Sequence, residues 1–504
     1  MAAVQQSSSV GCEYYAVHMD GHFGANNGCF VSFLANTSQQ SVHVQATFAG
    51  GAVDLTGHAA IPRGNGKNLT YEDLDLAAGI PPGEVAILFL AGVPNAGKPS
   101  DGNVKPNASV PCPVAPAMSS LTQLHGTGRS YAFRLKTDAP VVAYQMLPYG
   151  GGNAAVTGAT LLLPTSAYGT NYIAVDAYGA SSVPGTNISS MDIVAAKDDT
   201  HVTMNPIVDV NPGVDVASAK SGSSVTYTMK AGEVLQFTQS TELTGSPILA
   251  DKPITVFAGH PCANVPITFP YCDHAEQQIP PVQALGSEYM AVTYRQRTDK
   301  PENPPYRIIG AVDGTELKYS KSVGGPATLS RGQVVEFENG NPFWVRSQDK
   351  DHPFLLIGSM SGATAVGGAG YGDSDIVRVV PTAQYLERYV FFTDPTYPET
   401  NLVVTRTKGD SGYADVTLDC AGVLGGWAAI DETHEYTRID LVRHDFAPQG
   451  KCDNGRHEMS SKSTFGLTVW GWGSPETTSY TGYVSYGYPA GENVRKLNDV
   501  IVPP

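Results

Sequence analysis

Asp251-Lys252-Pro253 leads into the apolar run Ile254-Thr255-Val256-Phe257, with Pro281 downstream and Tyr289 eight residues beyond it. The same frame occurs twice more. Asp138-Ala139-Pro140 precedes Val141 to Met146, with Pro164 and Tyr172 downstream; Asp351-His352-Pro353 precedes Phe354 to Ile357, with Pro381 and Tyr389 downstream. The second proline and the tyrosine are eight residues apart in all three copies, and the first proline and the tyrosine are 32, 36 and 36 apart. Such constancy marks an internal repeat. Proline fixes φ and lacks an N–H, so the frame predicts a strand that begins after Asp-x-Pro, with the aspartate capping the preceding turn. The β-branched and aromatic residues that follow suit a buried strand. The tyrosine opens another: Asn171 to Val175, Glu288 to Val292, Tyr389 to Phe392, and, as a fourth copy near the start, Glu13-Tyr14-Tyr15-Ala16-Val17.

Composition agrees with this reading. Gly 54 and Pro 36 are high and charged residues make up only 15%, the profile of a turn-rich all-β chain. A short helix is expected only at Thr70 to Ala78. Each repeat holds about seven short strands, enough for a two-sheet sandwich and too many for a propeller blade. The expected architecture is all-β: a tandem array of about four β-sandwich units, at 11–151 with a long loop insertion at 93–120, 152–265, 266–367 and 368–490, followed by a C-terminal tail, 491–504. Strand–turn–strand hairpins are expected around Asn36-Thr37-Ser38, Asp198-Asp199 and Asp313-Gly314.

Charge and hydropathy exclude some function classes. Lys+Arg 31 against Asp+Glu 47 gives a net charge of -16, with no basic stripe for a phosphate backbone, so no nucleic-acid partner is expected. The longest apolar run, Val85 to Val93, is too short to span a bilayer. Met1 to Val10 has neither a cationic region nor an apolar core, so this sequence shows no signal peptide.

Seven cysteines bear on compartment. Cys262 with Cys272 and Cys420 with Cys452 are close enough in sequence to be local disulfides, and Cys112 is expected to join Cys12, leaving Cys29 free. Disulfides imply an oxidising, extracellular or cell-surface location. The alternative at His260, Cys262, Cys272 and His274 is a zinc site. Asp198-Asp199 and Asp373-Ser374-Asp375 offer the hard oxygen ligands that calcium takes, without EF-hand spacing; solvated turns are the plainer reading. No cofactor or resident metal is expected.

Catalytic motifs are missing where they could be looked for. Gly358-Ser359-Met360-Ser361-Gly362 has methionine where a nucleophile elbow needs serine. His434, His444 and His457 lie near Asp431, Asp445 and Glu458 without an arranged nucleophile. Gly126-Thr127-Gly128 opens no helix. The candidate binding groups are aromatic: Trp427, Trp470, Trp472, Tyr397, Tyr480, Tyr483, Tyr486 and Tyr488, which either stack on a ligand or fill a core. Asn36, Asn68, Asn107 and Asn187 head glycosylation sequons.

Several stretches together resemble the IgGFc-binding protein N-terminal domain family. They are Gly259-His260-Pro261-Cys262, Val265-Pro266, Cys272-Asp273-His274-Ala275-Glu276-Gln277-Gln278, Pro280-Pro281, Ala143-Tyr144-Gln145, Thr160 to Pro164 and Leu249 to Pro253. The family is named after an animal mucus glycoprotein, and this chain is more similar to the bacterial secreted and surface-type members. The resemblance covers most of 11–490. It implies an extracellular binding or adhesive role with no catalytic residues to carry over. The expected function is therefore recognition of a glycan or surface protein through loops. The alternatives are a carbohydrate-active enzyme with a carboxylate pair between units, or a surface-assembly component.

Overall fold

In this computed structural model the described residues are 8–93, 109–119, 122–150, 156–179, 188–368, 370–477 and 482–504. The fold is all-β, with short 3-10 turns as the only helical elements among them. One ladder plan occurs four times. Its spine is a long strand: Phe133–Leu147, Pro247–Ala263, the split pair Phe343–Ser347 and Phe354–Met360, and Gly455–Trp472. The first half of each spine pairs with a tyrosine-bearing strand, Val10–Ala16, Gly169–Ile173, Glu288–Ala291 or Leu386–Thr393. The second half pairs with an inner strand, Gly158–Leu162, Asp273–Ile279, Asp375–Arg378 or Ser485–Pro489. In the first, second and fourth repeats the spine ties one curled sheet of nine, eight and nine strands together, bending from one layer to the other, and in the third its two halves lie in separate four-stranded sheets.

The Asp-x-Pro motif sits at the crossing between sheets. Pro140 and Pro253 lie inside continuous strands, not at the beginning of one as expected; only Phe354 starts its strand after the proline. The position tolerates proline because the spine changes partners there, so no ladder bond needs that N–H. Nor does the aspartate cap its own turn. Asp138 accepts from the His43 backbone N–H (2.9 Å) and faces His43 Nδ1 (2.7 Å), and Asp251 does the same for His201 (2.8 and 3.0 Å). These two carboxylates each fasten a neighbouring strand at the crossing, whereas Asp351 faces Lys350 (3.2 Å) and Gln348 takes the Glu316 N–H (2.8 Å) in its place. The fourth spine carries Lys462-Ser463-Thr464 instead.

In the expected hairpins the two strands do not pair with each other but flank different parts of the spine, and in the third case they lie in different sheets. Phe30–Asn36 pairs with Val85–Ala91, whereas Val44–Phe48 pairs with Gly51–Val53, and both border the spine. The Asn36 side chain turns the chain by donating to the Gln40 (2.7 Å) and Ile80 (2.9 Å) carbonyls. Ser189–Ala195 and Thr200–Met204 part company in the same way at Asp198-Asp199, as do Pro305–Gly310 and Thr315–Tyr319 around Asp313-Gly314. The helix expected at Thr70 to Ala78 is also overturned: Thr70–Asp73 is a strand against Ala59–Arg63, followed by a turn on Asp75.

The tyrosine of each repeat does the same work. Its hydroxyl donates to the carbonyl just past the crossing: Tyr14 to Val141 (2.6 Å), Tyr172 to Ile254 (2.8 Å), Tyr289 to Phe354 and Tyr389 to Phe465. It also accepts the N–H three residues upstream, from Gly169 (3.0 Å), Gly286 (3.1 Å) and Leu386 (3.1 Å). A hydroxyl tying two backbone segments is a recognised corner device of sandwiches. The glycine three before the tyrosine makes room for the repeat proline. A Cβ on Gly11, Gly169 or Gly286 would fall 2.4, 2.5 or 2.3 Å from Cβ of Pro164, Pro281 or Pro381. In the fourth repeat the sizes are exchanged: Leu386 takes the glycine place, and Gly491 the proline place, 3.3 Å from Leu386 Cδ1 by the same construction.

The four ladders close on themselves. Gly158–Leu162 lies beside Asp273–Ile279 and Ser485–Pro489, and Asp375–Arg378 lies beside the same two, so the inner strands form a ring. Apolar cores are shared across the joints. Phe33 meets Phe392 (4.8 Å between ring centres) and Tyr144 meets Tyr488 (4.7 Å), joining first to fourth. Ile309, Leu355 and Ile357 share a core with Val256 and Ile279; Met360 and Val377 share one with Val403, Trp470 and Trp472; Met19 and Tyr15 share one with Val194 and Phe257. Each inner strand is laddered to the preceding spine, so we propose unit ends at Pro164, Pro281, Pro381 and Gly491 rather than at 151, 265, 367 and 490.

Candidate binding face and the polar strand beneath it

The polar run Asp273-His274-Ala275-Glu276-Gln277-Gln278 is the second inner strand, and all six residues are fully or almost fully buried. Its side chains reach the first and fourth repeats, and its backbone reaches the third. Asp273 accepts from the Thr157 N–H (2.9 Å) and the Ser485 hydroxyl (2.6 Å). Glu276 accepts from Gln145 Nε2 (2.6 Å), whose amide also pairs with both backbone groups of Val17 (2.9 and 3.0 Å). Gln277 Nε2 donates to the carbonyls of Ala159 and Gly487, each at 3.1 Å. Gln278 accepts from the Leu163 N–H (2.6 Å) and donates to Thr255 (2.9 Å), and its carbonyl receives Arg378 Nε (2.7 Å). In a dry interior such bonds specify register as well as hold it. The run that looks most like a site is the keystone of the ring.

Burial governs the titration of its surroundings. Desolvation lowers the imidazoles of His18 and His260 to about 3, so both are neutral. Asp192, wholly buried, is pushed well above the carboxylate range by desolvation, with Asp20 and Glu276 adding to it. Asp373 is raised to about 6 by burial, while its carboxylate accepts from the N–H groups of Ala363 and Ser374.

The loop that precedes the keystone faces solvent. Cys262 and Cys272 are bonded at its two ends. Asn264 donates to the Tyr271 carbonyl (2.8 Å), Phe269 N–H closes on the Pro266 carbonyl (2.9 Å), and Gly362 N–H reaches the Val265 carbonyl (2.7 Å). On this braced loop Tyr271 is 46% and Ile267 39% exposed. Tyr483 of the fourth repeat stands 5.9 Å from Tyr271, ring to ring. Phe23 of the first, 38% exposed, adjoins through the His22 N–H bond to Pro261. Two of the seven exposed large apolar side chains among the described residues thus share one loop that meets Tyr483 of another repeat, and a third, Phe23, follows the residue bonded to the base of that loop. That is what a protein-binding patch needs.

The other candidates fall elsewhere. With Cys262 and Cys272 bonded, the zinc alternative has lost its thiolates. Cys29 is bonded to Cys112, and Cys12 is the free thiol, correcting the expected Cys12–Cys112 pair; Cys420 is bonded to Cys452. Asp198 accepts the Ala231 N–H and Lys252 Nζ caps the carbonyls of Asp198 and Asp199, an ordinary turn. Among the described residues the one close group of three metal-capable side chains is Asp419, Cys420 and His457, and its sulfur is in a disulfide. His434 leans on Asp431, His457 on Asp419, and His444 on Glu476. Trp470, Trp472, Tyr397, Tyr486 and Tyr488 are core residues. Trp427 is half-buried under Arg406 (3.6 Å). Asn36 is fully buried and its amide is bonded, whereas Asn68 is exposed; Tyr480, Asn107 and Asn187 lie outside the described residues, as does most of the 93–120 loop. The exposed Ile267 and Tyr271 were not singled out from sequence, although two cysteines enclosing Ile-Thr-Phe-Pro-Tyr was the available signal.

Among the described residues no helix is long and apolar enough to cross a membrane. Comparison with known proteins bears on identity. The human IgGFc-binding protein is 27% identical over 318 residues, which is 62% of this chain and 5% of that much longer relative. No solved structure gives a significant match. The family model described as IgGFc binding protein matches residues 158–471, from the first inner strand to the fourth spine, and on that match the chain belongs to the IgGFc-binding protein family.

Proposed function

We propose that this chain is an extracellular, non-catalytic binding module whose partner is a protein, engaged by the face around Tyr271, Ile267, Phe23 and Tyr483. The observation that carries the reading is the Cys262–Cys272 loop, braced at both ends yet presenting apolar side chains to solvent. A rigid loop loses little entropy on binding, and aromatic anchors supply most of the affinity in such interfaces. The three disulfides support the extracellular assignment. The name of the human relative makes immunoglobulin G Fc the first partner to assay, beside other extracellular proteins.

The test compares the parent with Tyr271→Ala/Ile267→Asp in surface-plasmon titrations against Fc and against proteins retained from extracellular fluid. A partner held by the parent and weakened at least tenfold in the variant, with unchanged melting, supports the reading. A partner bound equally by both overturns this face as the site.

A further inference from the structure

Residues 491–504 begin where each earlier repeat passes from its inner strand to the next sandwich. They enter no sheet and instead run across the outer side of the joints. Ser9 N–H bonds to the Glu492 carbonyl (2.8 Å) and the Ser9 hydroxyl accepts the Glu492 N–H (3.0 Å). The Glu492 carboxylate forms a buried two-point pair with Arg378, one contact at 2.8 Å. Farther on, Gln384 accepts the Arg495 N–H (3.1 Å) and donates to the Arg495 carbonyl (2.7 Å). Leu497 N–H reaches the Gln283 carbonyl (2.7 Å), and the Asn498 amide holds the carbonyls of Val282 (2.9 Å) and Leu285 (3.0 Å). Asn171 then grips both backbone groups of Val502, each at 2.8 Å.

Two of these grips, by Gln384 and Asn171, read backbone alone, as a groove does when it accepts an extended peptide. Specificity comes from four side chains that point inward: Glu492, Val494, Asn498 and Val502 are all buried, whereas Arg495, Lys496 and Asp499 between them are exposed. We propose that the groove formed by Asn171, the turns Val282–Ala284 and Thr382–Gln384, and Arg378 is a peptide-binding site whose resident ligand is the chain's own 491–504 segment. It takes an extended peptide with a carboxylate first, a small aliphatic side chain two residues on, an asparagine four beyond that, and a second aliphatic four further. Because the segment touches all four repeats, its seating locks the ring. This inference is independent of the role given to the Cys262–Cys272 loop.

The experiment uses the chain shortened after Ala490 and a labelled 491–504 peptide, read by fluorescence anisotropy and by melting. Expected are saturable binding to the shortened chain, a rise in its melting temperature on binding, at least tenfold weaker binding of the peptide carrying Glu492→Gln and Asn498→Ala, and no binding to the full chain. Absence of binding to the folded shortened chain, or equal binding to both chains, overturns the proposal. If the shortened chain does not fold, the full-length Asn171→Ala/Gln384→Ala variant decides. Amide exchange at least tenfold faster in 492–502, with the spines unchanged, supports the groove; unchanged exchange in that segment overturns it.

Discussion

At the scale of single residues, the tyrosine is the repeated fastener. Tyr172→Phe leaves the half-buried Gly169 N–H and the buried Ile254 carbonyl short of a partner. A loss of about 1–3 kcal/mol in urea unfolding is expected. Gly169→Ala forces a Cβ against the Pro281 ring and costs about 1–3 kcal/mol by overpacking. The proline-to-tyrosine spacing was readable because both residues are chemically singular and recur at one fixed interval. The glycine was equally regular, at Gly11, Gly169 and Gly286, yet meaningless until its contact with the proline was seen. Buried acids make a pH-dependent case. Asp394 is raised to about 7 by burial, with one oxygen receiving the Thr396 N–H (2.8 Å). An acid raised on folding contributes fully below its unfolded value, about 4, and that contribution is lost as pH rises through 7. Asp394→Asn keeps the amide acceptor and cannot ionise. Relative to the parent it should gain ~1–3 kcal/mol between pH 5 and pH 8, measured by urea unfolding at both.

At the scale of elements, strands were visible through their β-branched and aromatic runs, but their partners were not. Strand–turn–strand patterns read as hairpins because sequence shows proximity along the chain, not which sheet receives the second strand. The second inner strand hid for a related reason. Five polar residues in six suggest a surface or a site, and only the surrounding repeats reveal that all five are buried and that Asp273, Glu276, Gln277 and Gln278 are bonded across the joints. Gln145→Leu should lower stability by about 1–3 kcal/mol, since it strips the Glu276 carboxylate of its donor in a dry interior. The loop variant Tyr271→Ala/Ile267→Asp is expected to stay within about 0.5 kcal/mol of the parent, because both side chains are exposed. That contrast, checked by denaturant titration, separates keystone from binding face. The Cys29–Cys112 bond was unreadable because its partners lie 83 residues apart and meet only in three dimensions.

At the scale of the whole molecule, the recurrence of one strand frame was legible and the closure was not. Four similar ladders follow from four tyrosines, but nothing local tells a string of sandwiches from a ring. The joints decide it, through shared cores and through Asp273, Gln277 and Glu492 bridging repeats distant in sequence. Elements that share a core unfold together. The four tryptophans, Trp344, Trp427, Trp470 and Trp472, all lie in the third and fourth repeats, whereas far-ultraviolet circular dichroism reports strands of all four. Urea unfolding followed by both signals therefore tests the ring directly. The account predicts one transition with coincident midpoints; a tryptophan transition separated from the dichroism transition would contradict it.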